Sequence, residues 1–95
     1  MKKITVEDIL QRKGKAKITM LTCYDYSFAK ILDAAGIDII LVGDSLANVV
    51  LGMEETRYLP LSEMFNHTRA VVKGVRNALV VADMPYAAYQ KNPKK

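Results

Sequence analysis

Three aspartates stand where chemistry could gather. Asp44 and Ser45 follow the apolar run Ile37, Ile39, Ile40, Leu41 and Val42; Asp25 follows Ile18 to Leu21 through Thr22-Cys23-Tyr24; and Asp83 follows Ala78 to Ala82. A β-branched run of this length, with Gly36 before it and Gly43 behind, reads as a strand buried on both faces. The turn past a strand's carboxyl end is where open α/β sheets and (β/α) barrels place their reactive groups. Adjacent parallel strands lie about 4.8 Å apart, so acids at the same level on neighbouring strand ends converge within reach of one ion. Like charges that close repel unless a cation sits between them. Mg²⁺ suits such a pair, because it takes hard oxygen ligands, one or two of them carboxylates, and keeps positions for water and substrate. Three strand ends carrying acids thus suggest one shared site.

Each of these residues also has a plain structural use. Asp25 stands at a helix start, where capping is its ordinary role; Asp44 suits an Asx-turn, and Asp83, before Met84-Pro85, suits a turn. Cys23 has no histidine near it in sequence to make it a nucleophile. His67 falls inside a helical segment, away from the strand-end face, and reads as structural. Met20, Met53, Met64 and Met84 read as core or near-core fillers. Neither G-x-G-x-x-G nor G-x-x-x-x-G-K-[ST] occurs, which weakens nucleotide-binding readings.

The elements that must position the acids follow in chain order. Thr5 and Asp8 have capping-box spacing, with Ile4 and Ile9 as a hydrophobic staple, so a short helix is expected over Val6 to Lys13, ended by Gly14. After the first strand, Ile18 to Leu21, Phe28, Ile31, Leu32 and Ala35 recur at helical spacing, with Asp25 as N-cap and Gly36 as the stop. A helical turn is expected over Leu46 to Leu51 and a loop over Gly52 to Pro60. A longer helix then opens at Pro60 or Ser62, with Leu61, Met64, Phe65, Thr68, Val71, Val72 and Val75 as a broad inward face and Gly74 near its end. The third strand is Ala78 to Ala82, with Pro85 stopping the pattern and a polar tail, Lys91 to Lys95, after it. Strand, helix, strand, helix, strand predicts a parallel βαβαβ arrangement with right-handed crossovers.

Composition bounds the class. Ninety-five residues are few for a complete α/β domain, yet 51% are hydrophobic, which points to a piece of something larger or a subunit that hides apolar surface in an assembly. The lone cysteine forms no internal disulfide, and no leader or long apolar span is visible near the start, so the cytoplasm is the expected location and no membrane is expected. The net charge of +4 comes from lysines and arginines at the two ends, without the basic face and interleaved aromatics of a nucleic-acid surface, so no nucleic-acid partner is expected.

The segments TMLTCYDYSFAKILDAAGID, LVGDSLANVVLG, HTRAV and ALVVADMPYAAYQ resemble the amino-terminal part of the ketopantoate hydroxymethyltransferase family, from about Lys17 to Gln90. The most specific portions are Val42-Gly43-Asp44-Ser45-Leu46 and Ala82-Asp83-Met84-Pro85. The resemblance implies the first three βα units of a (β/α)₈ TIM barrel, with residues 1–95 as the partial, N-terminal portion of that domain. It implies Mg²⁺ held by Asp44 and Asp83, with the 2-oxo acid bound by Asp44, Ser45 and Asp83. It also implies hydroxymethyl transfer from 5,10-methylenetetrahydrofolate to 3-methyl-2-oxobutanoate, giving 2-dehydropantoate in pantothenate biosynthesis, with Mg²⁺ stabilising the enolate. The family's general base, with a lysine and glutamates of later strands, would fall beyond Lys95, so no catalytic residue is expected within this chain and the isolated chain is expected to be inactive. The full-length enzyme is expected to be a homo-oligomer. Ala47-Asn48 stands where the family commonly has Gly-Met, and Thr56-Arg57-Tyr58-Leu59-Pro60 replaces a Thr-Leu-Pro-Val-Thr tract; both change the loop over the substrate and leave the aspartates in place. Two other readings are a different Mg²⁺-dependent barrel acting on 2-oxo acid enolates, such as the phosphoenolpyruvate mutase and isocitrate lyase group, and a non-catalytic α/β fragment whose aspartates form turns.

Overall fold

The computed structural model describes residues 3–84. The expectations for Pro85 and for the tail from Lys91 to Lys95 lie outside them. The order of elements is α1 (Val6–Gln11), β1 (Met20–Thr22), α2 (Tyr26–Ala34), β2 (Ile39–Val42), α3 (Leu46–Val49), α4 (Leu61–Gly74) and β3 (Leu79–Ala82), with a short 3₁₀ turn at Thr56–Tyr58 inside the expected loop. The three strands form one parallel sheet in the order β1-β2-β3.

Local chemistry accounts for the helix ends. The Thr5 hydroxyl accepts the Asp8 N–H at 3.2 Å and the Asp8 carboxylate accepts the Thr5 N–H at 2.9 Å, a complete capping box. Asp25 caps α2 by accepting the Phe28 N–H at 2.8 Å. Gly36 leaves the same helix at φ +88°, a left-handed conformation in which a β carbon would be strained.

Helices α2 and α4 pack directly on each other, so both crossovers lie on one face of the sheet. Gly74 permits the close approach. A β carbon there would sit 2.7 Å from the Tyr26 carbonyl oxygen and 3.1 Å from the Ala29 β carbon. The core between layers consists of Ile40 and Val42 of β2, Ala29, Met64, Val71 and Leu59, all buried. Only alternate residues of β2 are fully buried, since Ile39 and Leu41 keep some exposure; the expectation of burial on both faces is corrected to one.

The amphipathic faces are also narrower than expected. On α2 the buried positions are Ala29 and Asp33, while Phe28 and Ile31 are exposed. On α4 they are Met64, Val71 and Gly74, while Leu61, Phe65 and Val72 are exposed. Met64 is the methionine that fills the core and Met53 packs against it, whereas Met20 and Met84 are exposed, contrary to expectation. The reason is common to all: β1 and β3 are edge strands within the described sheet, and the positions beyond α2 and α4 have no neighbour to cover them.

Two buried carboxylates that sequence reading passed over tie the amino ends of the strands together. Asp33, at the end of α2, accepts the N–H groups of Arg76 (2.9 Å), Asn77 (3.1 Å) and Ala78 (2.8 Å). With its N–H so engaged, Ala78 falls outside the ladder and β3 starts at Leu79 instead. Asp38 accepts the Thr19 N–H at 3.0 Å and pairs with Arg12 at 2.5 Å, which delays β1 to Met20. Burial raises the Asp33 pKa, but its three backbone donors outweigh that and hold it below the ordinary carboxylate range; the Arg12 guanidinium and the Thr19 N–H do the same for Asp38.

Two outcomes follow from this packing. Gly74→Ala gains about 1 kcal/mol of helix propensity but forces α2 from α4, an overpacking cost of about 1–3 kcal/mol, so thermal unfolding should shift downward; a raised melting temperature would contradict the close approach. For Asp33 and Asp38 the folded-state pKa lies below the unfolded value, so their stabilisation is present above roughly pH 4 and is lost as pH falls through the folded value. Asp33→Asn should cost about 1–3 kcal/mol at pH 7 and flatten the acid limb of a melting temperature against pH profile. An acid limb as steep as that of the parent protein would show that Asp33 carries none of this linkage.

Candidate active site

Parallel register decides what meets at the carboxyl end of the sheet. Leu41 lies opposite Val81 and Val42 opposite Ala82, and the ladder runs one step further as the Asp83 N–H donates to the Val42 carbonyl at 3.0 Å. That step brings the Asp83 side chain across to the neighbouring strand end, where its Oδ2 accepts the Asp44 N–H at 3.1 Å. Gly43 makes room for this crossing. A β carbon on Gly43 would lie 3.3 Å from Asp83 Oδ2 and 3.7 Å from Ser45 Oγ, so both polar groups border the same residue. Asp44, Ser45 and Asp83 are all half-buried, reachable from solvent but anchored in the sheet.

Ser45 opens α3 without capping it through its side chain. Its hydroxyl is instead hydrogen-bonded to the Tyr24 phenol, which comes from the strand end of β1. Behind Ser45, Leu46 and Ala47 are fully buried, and Asn48 Nδ2 donates to the carbonyls of Met53 (2.9 Å) and Glu54 (3.2 Å), tying α3 to the loop that follows. Asn48 therefore shapes that loop through its amide.

The structure brings Asp44, Ser45 and Asp83 together and leaves Asp25 out. The Asp25 carboxylate is exposed and taken by the Phe28 N–H, so the shared site expected from three strand ends is reduced to two acids. Among the described residues no group of three or more His, Cys, Asp or Glu side chains is disposed to hold a metal. Were a cation held here by Asp44 and Asp83, two carboxylates completed by water or ligand oxygens would be a donor set that fits Mg²⁺ and not a tetrahedral Zn²⁺ site. Burial pushes the Cys23 thiol pKa up, which agrees with the reading that it is not a nucleophile.

Two residues that sequence reading did not place in the site belong to its surroundings. Tyr24 sits in the strand-end turn where Ser45 sits in the next one, a parallel that the sequence displays. His67 was expected to lie away from the strand ends, but its Nδ1 is 2.7 Å from the Tyr24 carbonyl oxygen. The available signal was its spacing from Met64, Val71 and Gly74, the buried stripe of α4. An apolar groove of about 370 Å³ lies along Leu21, Phe28, Leu32 and Val50 at the β1 edge, and neither Asp44 nor Asp83 lines it.

Comparison with known proteins supports the same segment. A sequence profile described as ketopantoate hydroxymethyltransferase matches residues 3–95. The 3-methyl-2-oxobutanoate hydroxymethyltransferase of Nitratidesulfovibrio vulgaris is 54% identical over 87 residues, covering 92% of this chain and 28% of that protein. The proteins of the same name from Acetivibrio thermocellus and Pyrococcus furiosus are 57% and 51% identical, covering 92% and 95% of this chain and 31% and 32% of their own lengths. The chain thus spans about a third of the length of the curated relatives it matches. With a family profile covering nearly every residue, and relatives more than half identical over most of its length, this chain belongs to the ketopantoate hydroxymethyltransferase family.

Proposed function

We propose that this chain forms the first three βα units of a (β/α)₈ barrel whose full-length form transfers a hydroxymethyl group from 5,10-methylenetetrahydrofolate to 3-methyl-2-oxobutanoate, giving 2-dehydropantoate in pantothenate biosynthesis. The observation that carries the reading is the Asp83 carboxylate reaching to the Asp44 N–H, with Ser45 beside it, at the carboxyl end of a parallel sheet. Sequential strand order, with α2 and α4 on one face, is compatible with the opening units of such a barrel. No helix among the described residues is long and apolar enough to cross a membrane, which is compatible with a cytoplasmic enzyme. Homo-oligomeric assembly of the full-length enzyme is part of the same proposal.

Asp44 and Asp83 would hold Mg²⁺, and the chemistry that ion supplies when bound is relief of the negative charge that builds on the keto oxygen as the C3 proton leaves. The residues of this chain do the rest of the anchoring. Asp83 ties its own carboxylate to the Asp44 backbone by accepting the Asp44 N–H. Ser45 presents a hydroxyl that can donate to the acid's carboxylate, and it is hydrogen-bonded to the Tyr24 phenol, not to a base that would make it a nucleophile. The base that removes the C3 proton is proposed to lie beyond Lys95, with the folate site.

Two experiments on the full-length protein test this reading. Asp44→Asn and Asp83→Asn should each weaken Mn²⁺ or Mg²⁺ binding and slow solvent exchange of the C3 proton of 3-methyl-2-oxobutanoate by about tenfold or more at limiting metal, because one of two anionic ligands is lost. Unchanged exchange in either variant would remove that aspartate from the site. Ser45→Ala should raise the KM for the keto acid about tenfold, the effect of one lost hydrogen bond, with a smaller loss of turnover. A loss of several orders of magnitude in turnover at saturating acid would instead assign Ser45 to the chemistry.

A further inference from the structure

His67 occupies an unusual place for a residue that the reaction does not obviously need. It projects from the second turn of α4 towards the sheet, half-buried, on the same stripe as the buried Met64 and Val71. Its Nδ1 lies 2.7 Å from the Tyr24 carbonyl oxygen. A carbonyl only accepts, so Nδ1 carries the hydrogen and donates it. On the other side of the ring, Nε2 faces Glu63 Oε1 at 3.9 Å, one turn earlier on the helix. The imidazole thus reaches from α4 to the backbone of a different element.

Its target is the residue whose side chain meets Ser45. Tyr24 lies between the last ladder bond of β1, in which the Cys23 N–H donates to the Leu41 carbonyl at 3.0 Å, and the cap of α2 at Asp25. Those bonds set the chain on either side of Tyr24, and His67 sets Tyr24 itself. The Tyr24 phenol then bonds the Ser45 hydroxyl. If the phenol donates, it occupies one lone pair of the Ser45 oxygen, and the Ser45 proton is left to donate to an acid's carboxylate. A phenol that wandered would let Ser45 turn its proton elsewhere.

We propose that His67 is a positioning residue for 2-oxo acid binding: by holding the Tyr24 carbonyl it places the phenol that orients Ser45. The inference rests on the functional reading above for the identity of the ligand, but the coupling from His67 through Tyr24 to Ser45 stands on geometry alone. His67 touches no reacting atom. Its loss acts on the capture of the acid and spares the proton transfer itself.

The test uses the full-length protein, with calorimetric binding of 3-methyl-2-oxobutanoate, steady-state C3 proton exchange, and a ¹⁹F signal from 3-fluorotyrosine at Tyr24, assigned through Tyr24→Phe. His67→Phe should raise the Kd and KM for the acid about tenfold, the factor for one hydrogen bond of ordinary strength, while the turnover of exchange falls by less than about threefold. His67→Asn, whose amide nitrogen reaches the position of Nδ1, should return KM to within about threefold of the parent value. In a Tyr24→Phe background His67→Phe should add little further, because the route to Ser45 is already cut. The Tyr24 fluorine signal should shift or broaden in His67→Phe and return in His67→Asn. Equal impairment of the two His67 variants, an undiminished effect of His67→Phe in the Tyr24→Phe background, or a fall in turnover with unchanged KM would overturn the proposal. Should the parent protein fail to exchange the C3 proton, the functional reading falls; the fluorine signal then decides the coupling on its own, and an unchanged signal in His67→Phe overturns it. Should His67→Phe fail to fold, His67→Asn and His67→Gln decide through the same readouts, since Gln places its amide beyond the Nδ1 position and should not restore KM.

Discussion

The register between β2 and β3 is the constraint on which everything else at the site depends. With Val42 opposite Ala82, the first residue past β3 donates to the last residue of β2, and its carboxylate falls beside the N–H of Asp44. A slip of one residue would turn the Asp83 side chain to the other face of the sheet and leave Asp44 without its partner. Short parallel strands pin their register weakly by themselves. Here the pinning comes from the opposite end, where Asp33 gathers the N–H groups of Arg76, Asn77 and Ala78 and so fixes where β3 begins.

The two ends of the sheet use aspartates for opposite purposes. At the amino end, Asp33 and Asp38 are buried and their oxygens are consumed by backbone N–H groups, Thr19 and Arg12. Such carboxylates have little left to offer a ligand, and their work is cohesion. At the carboxyl end, Asp44, Ser45 and Asp83 are half-buried, and the fold holds them through main-chain contacts more than through neutralising charge. This division matches the general pattern of (β/α) architectures, in which the amino end of the strands carries stability and the carboxyl end carries chemistry.

Apolar patterning carried information that the described residues only partly use. Phe28 and Ile31 on α2, and Phe65 and Val72 on α4, stand at helical positions that read as inward, yet they are exposed. Periodicity states that a face is to be covered, not by what. The face that α2 and α4 share is settled by Ala29 and Gly74, small residues that give no strong hydrophobic signal and matter because they let two backbones approach.

By itself the sequence determined the features whose causes are local. The Thr5 and Asp8 capping box, the Asp25 cap, the Gly36 stop and the three apolar runs each depend on a few adjacent residues, and each stands within two residues of its expected place. The alignment of Asp44, Ser45 and Asp83 past strand ends was legible for the same reason, because a strand end is a local event. Tertiary structure alone decided which acids meet. Asp25 looked equivalent to Asp44 and Asp83 along the chain, but the start of α2 claims its carboxylate. The hydrogen-bond partners of the Asp33, Asp38 and Tyr24 side chains and of the His67 ring lie between 19 and 45 residues away, and no spacing rule connects positions that far apart. Those contacts exist only once parallel pairing has set the strands side by side and α4 has come down on the sheet.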